Sequence, residues 1–390
     1  MVVQRAGRDV NGGAEALCRD VGIALSGIWD VTIITTTALE YSTWAPHYRA
    51  GSDDIDGVPV LRFDVDEPRS QKYFDILSSR IMLRLDSAPL REQEDWMKAQ
   101  GPYSTGLLRY LELHGAEYVL VIFYTYLYAT TYFGLPLVRD RAVLVPFAHD
   151  EWPMRLQMWN ALFDLPREIV FSTPEERDFL QRRFGRVYNG PMIGIGVDIK
   201  EDVRADRFRQ RFGIQNPFAI YVGRIDPAKN CDRLLHDFEA YKKRHTDDLI
   251  LILLGRAAMP LPILPYLRPL GYVDEEAKLD GLAASEMLIM PSALESLSIS
   301  LLEAWSVGRP VVVNAASDVL VGQSRRANAG LWYADEAEFT AAVNLVRGPV
   351  GEAMGANGRS FVMESYSWPK IIEKYQHLYD ALFLSGARHA

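Results

Sequence analysis

The sequence predicts two α/β domains, each a doubly wound parallel sheet, and three observations carry the prediction. Short β-branched runs alternate with helical spacing from end to end, which is the pattern of parallel strands joined by crossover helices. At 390 residues the chain exceeds one ordinary core. The stretch Asn189-Gly-Pro-Met-Ile-Gly-Ile-Gly196 interrupts the alternation with three glycines and a proline, after which the rhythm restarts.

In the first half the expected strands are Val2 to Gln4, Val31 to Thr35, Val60 to Phe63, Val119 to Phe123, Val143 to Pro146 and Ile169 to Ser172. The first of these is unusually short. Ala14 to Leu25, Tyr73 to Arg84 and Glu92 to Leu113 have helical spacing. The second half reads more cleanly, with strands at Phe218 to Val222, Leu249 to Leu254, Leu270 to Val273, Met287 to Met290 and Val311 to Asn314. Trp368 to Leu384 is an amphipathic helix with Ile371, Ile372, Tyr375, Leu378, Tyr379 and Leu382 on its apolar side. The expected division is an N-terminal domain over 1–193, onto which 368–390 packs back, and a C-terminal domain over 194–367.

Composition narrows the function. With 48% apolar and 24% charged residues, and no apolar run of about 18, the chain reads as neither disordered in bulk nor membrane-spanning. A net charge of −9 with no block of Lys/Arg argues against a nucleic-acid partner, and Lys242, Lys243 and Arg244 read as the solvated end of a helix. Cys18 and Cys231 show no metal or redox spacing and are expected to be reduced thiols. No signal peptide is expected, and the expected location is cytoplasmic, extending to the inner face of a membrane.

Ligands of parallel sheets bind beyond the strands' carboxyl ends. In the second half those positions hold Gly223-Arg224, Gly255-Arg256, Asp274, Pro291 to Glu295, and Asn314. Within this rim Glu295-Ser-Leu-Ser-Ile-Ser-Leu-Leu-Glu303 places one carboxylate in a loop and another on the helix expected over Leu297 to Val307, among Ile299 and Val307. A buried carboxylate needs donors, which sugar or ribose hydroxyls would supply, while the helix N-terminus would offer amides to a diphosphate. Tyr221-Val-Gly-Arg-Ile-Asp-Pro-Ala-Lys-Asn230 adds two cations, Arg224 and Lys229, suited to a pyrophosphate leaving group.

Those two stretches, with Leu270-Gly-Tyr-Val-Asp-Glu-Glu-Ala-Lys278 and the continuation Ala-Trp-Ser-Val-Gly-Arg-Pro-Val311, resemble the donor domain of glycosyltransferase family 4. The likeness is strong over residues 218 to 315 and weaker at Asn11-Gly-Gly-Ala-Glu15 and Phe147-Ala-His-Asp150. It implies the GT-B fold, two Rossmann-like domains facing across a cleft. It also implies roles: Arg224 and Lys229 on the diphosphate, Glu303 on the ribose, Glu295 on the transferred sugar, and amides of Leu297 and Ser298 nearby. Gly271 to Val273, including Tyr272, would meet the nucleobase. Gly223 would border the substrate, Gly12 and Gly13 would let the first loop approach the phosphates, and His149 would reach the transferred sugar from the first domain. The chain departs from the family in its short first strand, and in Leu297-Ser298 where relatives often carry Phe-Gly.

The expected function is therefore retaining transfer of a hexose from a UDP- or GDP-linked sugar to a hydroxyl of a glycan or lipid-linked acceptor, in polysaccharide or glycoconjugate synthesis. No cofactor and no metal are expected, although Asp64-Val65-Asp66 has the Asp-x-Asp spacing of metal-dependent transferases. A sugar-nucleotide epimerase and a non-catalytic nucleotide-sugar-binding protein are the alternatives. Acceptor contacts are expected from Tyr41 to Trp44, Tyr73 to Leu85 and Tyr124 to Tyr132, with peripheral membrane contact among the expected partners. Donor base, sugar, acceptor and oligomeric state stay open.

Overall fold

A computed structural model describes residues 1–10 and 12–383, so Asn11 of the glycine loop, Leu384 of the last helix and the rest of the tail lie outside the described residues. Two compact units are present: Met1–Ile195 together with the segment from Lys374 onward, and Gly196–Glu373.

The first unit contains β1 (Ile33–Thr36), β2 (Gly51–Ile55), β3 (Val58–Phe63), β4 (Val121–Tyr124), β5 (Ala142–Val145) and β6 (Glu168–Ile169). The expected strand at Val2 to Gln4 shrinks to a single bridging residue. Val2 pairs in parallel with both Ile34 and Phe123, its N–H donating to Ile122 O at 2.7 Å and its carbonyl accepting from Tyr124 N at 3.0 Å. It thereby joins the β1-β3-β2 and β4-β5-β6 sheets. Counting Val2 first, the parallel members lie in the order 3-2-1-4-5-6, the doubly wound arrangement.

Two features here differ from the sequence reading. β2 pairs antiparallel with β3 through a turn in which Asp56 and Gly57 both take positive φ, the Asp-Gly hairpin geometry. The single helix expected over Glu92 to Leu113 is two, Leu90–Gln100 and Thr105–His114. Gly101 at φ 65° ends the first, Pro102 cannot continue it, and the Ser104 side chain accepts from Leu107 N to start the second.

The second unit is one six-stranded parallel sheet of β7 (Phe218–Val222), β8 (Ile250–Leu254), β9 (Leu267–Gly271), β10 (Met287–Met290), β11 (Val311–Asn314) and β12 (Gly330–Tyr333), ordered β12-β11-β10-β7-β8-β9. β7, β8 and β10 are buried almost throughout, as strands covered on both faces must be. The strand expected at Leu270 to Val273 starts earlier and ends at Gly271, so Tyr272 and Val273 belong to the following loop. The edge strand β12 was not foreseen. Lys242, Lys243 and Arg244 close the helix Cys231–Arg244.

The helix Trp368–Phe383 is shared between units, dividing at Glu373/Lys374. Its far part is held in the first unit by Lys374 Nζ donating to Ile193 O at 3.2 Å, and by Tyr124 and Tyr375 hydroxyls 3.4 Å apart. No described helix is long and apolar enough to cross a membrane.

Candidate functional site

β7 and β10 are hydrogen-bonded neighbours, and the chain winds away from them in opposite directions toward β9 and β12. Their junction is the topological switch point, where a parallel sheet leaves a crevice beyond the strand ends. The loops leaving these two strands are tied together there. Lys229 Nζ lies 2.7 Å from Glu295 Oε1, Asn230 Nδ2 donates to Pro291 O at 3.2 Å, and Ser300 Oγ donates to Val222 O at 3.2 Å. Asn314, beyond β11, also donates to Pro291 O, at 2.8 Å.

One carboxylate shapes the turn after β7. Asp226 Oδ1 accepts from Lys229 N at 2.9 Å, capping the short helical turn Pro227–Lys229, while Oδ2 pairs with Arg224 Nε. The Arg224 carbonyl accepts from the Tyr221 hydroxyl at 2.8 Å. Arg224 is thus anchored through Nε, with about half of its side chain exposed and further N–H donors on its guanidinium. Asp226 escaped the sequence reading, although a residue of its type just before Pro is a cap signal. Gly223 and Gly255 follow β7 and β8 at φ 152° and 139°, and a Cβ on Gly255 would collide with the Gly223 carbonyl. Glycine is required there by both conformation and space.

Glu303 is held differently from the expectation. The helix spans Ile299–Ser306 with Ser298 as its N-cap, so the free amides belong to the turn starting at Ile299 rather than at Leu297. The Ser298 N–H donates to Gln323 Oε1 at 3.1 Å, and the donor role expected of it is already occupied inside the protein. Glu303 does not wait on ligand hydroxyls for its only partner, because Lys278 Nζ lies 2.6 Å from its Oε1. Burial pushes the Glu303 carboxyl above its ordinary range, and the Lys278 ammonium works against that rise. Lys278 comes from the helix Glu275–Ala284 and also pairs with Glu275 at 2.8 Å. Its role was hidden because it lies 25 residues from Glu303 in sequence. Gly271 (φ 72°) turns the chain after β9, leaving Tyr272 72% exposed and open to stack on a planar ligand.

In the first unit the carboxyl rim holds Gly12, Gly13 and His149. Gly12 has extended backbone, but a Cβ there would run into Glu15, whose buried carboxylate pairs with Arg5 Nε at 2.6 Å. Gly13 has open space around it, so no neighbour demands glycine. His149 follows β5 in a loop bent by Phe147 at φ 51°. Its Nδ1 is 3.4 Å from Phe147 O and its Nε2 is 3.9 Å from Glu151 Oε1. Glu176 braces this loop, with one oxygen accepting from Ala148 N and the other from Ser172 N, both at 2.7 Å. Its desolvation raises the carboxyl to about 8 despite those donors. Asp66 is engaged elsewhere, accepting from Thr105 N at 3.0 Å and Thr105 Oγ1 at 3.1 Å.

With this geometry in view, likeness to known proteins becomes informative. Residues 216–346 match the family model described as "Glycosyl transferases group 1". This segment is a group 1 glycosyltransferase domain. The chain is 26% identical over 226 residues to an uncharacterised glycosyltransferase of Methanocaldococcus jannaschii, covering 54% of this chain and 55% of that one, so it spans about half the relative's length. Among solved structures it resembles sucrose-phosphate synthase from Thermosynechococcus elongatus (TM-score 0.70, 18% identity, 96% and 94% of the two chains). It also resembles Anabaena HepE in complex with UDP-glucose (TM-score 0.68, 14% identity, 97% and 98%). The fold is that of the GT-B glycosyltransferases.

Proposed function

We propose that the chain is a retaining glycosyltransferase that moves a hexose from a UDP- or GDP-linked donor to a hydroxyl of a glycan or lipid-linked acceptor, without a metal. The observation that carries this reading is the Lys229–Glu295 pair at the switch point of a group 1 domain. An ammonium has three donors, so Lys229 can hold Glu295 and still give two N–H groups to a diphosphate. It then couples the carboxylate that grips the sugar to the group that leaves from it. Arg224 supplies the second cation. Glu303, paired with Lys278, accepts from the ribose hydroxyls, and Gly271 to Val273 border the base. In the first unit, Gly12, Gly13 and His149 lie beyond the carboxyl ends of the strands, where a ligand of that sheet would bind.

In the step itself the bond from the anomeric carbon to the β-phosphate oxygen breaks while the acceptor oxygen bonds to the same face. The acceptor proton passes to the departing phosphate oxygen. Catalysis rests on positioning and on stabilisation of the leaving group's charge by Arg224 and Lys229. The work belongs to glycoconjugate or polysaccharide synthesis in the cytoplasm, extending to the inner face of a membrane.

The test is donor turnover followed with and without a mixed hydroxyl acceptor pool. Acceptor-dependent release of nucleoside diphosphate, with the product's anomeric configuration matching the donor's, supports the reading. Isomerisation of the donor without acceptor would make it an epimerase, and binding without turnover a sugar-nucleotide receptor.

A further inference from the structure

Arg5, Arg62 and Arg69 lie at or near the carboxyl rim of the first unit's sheet, and the first two have acidic partners. Arg5 pairs with Glu15 at 2.6 Å and Arg62 with Asp53 at 2.7 Å. Arg69, in the loop leaving β3, has no carboxylate within ion-pair distance among the described residues. Its backbone is fixed by Arg69 N donating to Thr43 O at 2.6 Å. Nη2 donates to the backbone and side-chain oxygens of Gln100, the latter at 3.0 Å. The guanidinium lies 4.6 Å from the Phe74 ring centre and 5.1 Å from that of Trp44. Nε is buried with no hydrogen-bond partner, and Nη1 has none among the described residues.

A half-buried cation among aromatic rings is costly unless an anion completes it. Desolvation already pulls the Arg69 guanidinium below its usual range. The place is one where a ligand would sit. Trp44 follows β1, Arg69 follows β3 and Tyr128 follows β4, so all three stand on the rim that carries Gly12, Gly13 and His149. Trp44 and Tyr128 meet edge to face at 5.5 Å, and the Tyr128 hydroxyl, raised chiefly by burial, also lies in the field of Glu15, Arg5, Arg69 and Glu151.

We infer that Arg69 is the anion-recognition residue of the acceptor site: the acceptor carries a phosphate or carboxylate that Arg69 binds beside the partly exposed Tyr128, while the buried Trp44 backs the guanidinium from within. The word acceptor rests on the transferase reading above; the anion site itself does not. Arginine suits such a group because its planar fork matches both anions.

The experiment titrates the full chain with hexose 6-phosphate, hexuronate and neutral hexose by calorimetry. A second arm pellets it with phosphatidylglycerol-containing vesicles or with phosphatidylcholine alone, and both arms are repeated for R69Q and R69K. The expected result is at least tenfold preference for an anionic hexose, which assigns a soluble acceptor, or selective pelleting with the anionic vesicles, which assigns a lipid headgroup. R69Q should erase the preference without changing affinity for UDP- or GDP-hexose, which reports that the variant is folded. If R69Q does not fold, R69K carries the test: it should weaken the anionic ligand several-fold and leave the neutral one alone. A preference that survives in both variants, or no preference in either arm of the unmodified chain, overturns the inference. Failure of the unmodified chain to bind any nucleotide sugar would instead sink the transferase reading and leave the Arg69 result standing.

Discussion

Lys229 and Glu295, 66 residues apart in sequence, form a 2.7 Å ion pair that bridges the loops leaving β7 and β10. If, as proposed, the ammonium serves the sugar-holding carboxylate and the diphosphate together, removal of each partner should have a distinct signature. Glu303→Ala should weaken free nucleoside diphosphate and intact donor alike, and Glu295→Ala should spare the free nucleotide. Lys229→Ala should weaken both ligands yet leave a nucleoside without phosphates unaffected. A hydrogen bond to a charged group is worth about 1.5–3 kcal/mol, roughly ten- to a hundredfold in affinity, which calorimetric titration resolves. Glu295→Ala losing free nucleotide as severely as Glu303→Ala would exchange the assigned roles.

Lys278→Met leaves the half-buried Glu303 carboxylate without its ammonium. The folded-state value of Glu303 is already raised by burial, and losing the cation raises it further, so the carboxyl takes up a proton at a higher pH and no longer accepts from two ribose hydroxyls. Donor affinity of the variant should fall about tenfold as the solution is acidified and recover as pH rises, whereas the unmodified chain should vary less over the same range. The intact donor is the right ligand because a diphosphate diester does not titrate there. A pH-independent loss would mean that Lys278 acts on the nucleotide directly.

How much of this was legible beforehand varies with the kind of interaction. The second unit's strands at Phe218–Val222, Met287–Met290 and Val311–Asn314 were readable because fully buried parallel strands are continuous β-branched or apolar runs. The 51–63 hairpin was missed because Gly51–Ile55 is Gly-Ser-Asp-Asp-Ile and four of its five residues are exposed, although the Asp-Gly turn was there to be read. Arg224, Lys229, Glu295 and Glu303 stood out by residue type and local spacing. Lys278, the partner of Glu303, Gln323, which takes the Ser298 amide, and the brace Glu176 did not, since each acts on a residue 25 or more positions away and only the fold brings them together.

Glu176 gives a prediction about stability. Its carboxyl is raised from an ordinary 4.5 to about 8 in the folded protein by burial, so the folded state holds the proton more tightly than the unfolded chain does. The stabilisation linked to that proton is complete below about 4.5 and is lost as pH rises through about 8. Glu176→Gln cannot titrate, and its amide nitrogen cannot accept from Ser172 N, a loss of about 1–3 kcal/mol. Chemical denaturation should therefore show the variant weaker than the unmodified chain at pH 5, with the gap narrowing by pH 9. A constant gap would show that Glu176 does not change protonation in this range.

The Asp64–Asp66 pair supplies the last prediction, because its spacing suggests a metal and its contacts suggest a cap. Asp66 Oδ1 takes both the amide and the hydroxyl of Thr105, at 3.0 and 3.1 Å, at the start of the helix Thr105–His114. A carboxylate at a helix N-terminus satisfies an orphan amide and meets the positive end of the dipole, worth about 0.5–2 kcal/mol. The proposed diphosphate site already offers Arg224, Lys229 and the amides of the turn beginning at Ile299, which leaves little charge for a divalent ion to neutralise. Asp66→Ala should accordingly lower the melting temperature by a few degrees, in line with about 1 kcal/mol, and leave donor affinity unchanged. Transfer should persist after exhaustive dialysis against EDTA. Activity that disappears on chelation and returns with manganese or magnesium, and that Asp66→Ala also removes, would make the pair a metal site and the proposed charge balance at the leaving group wrong.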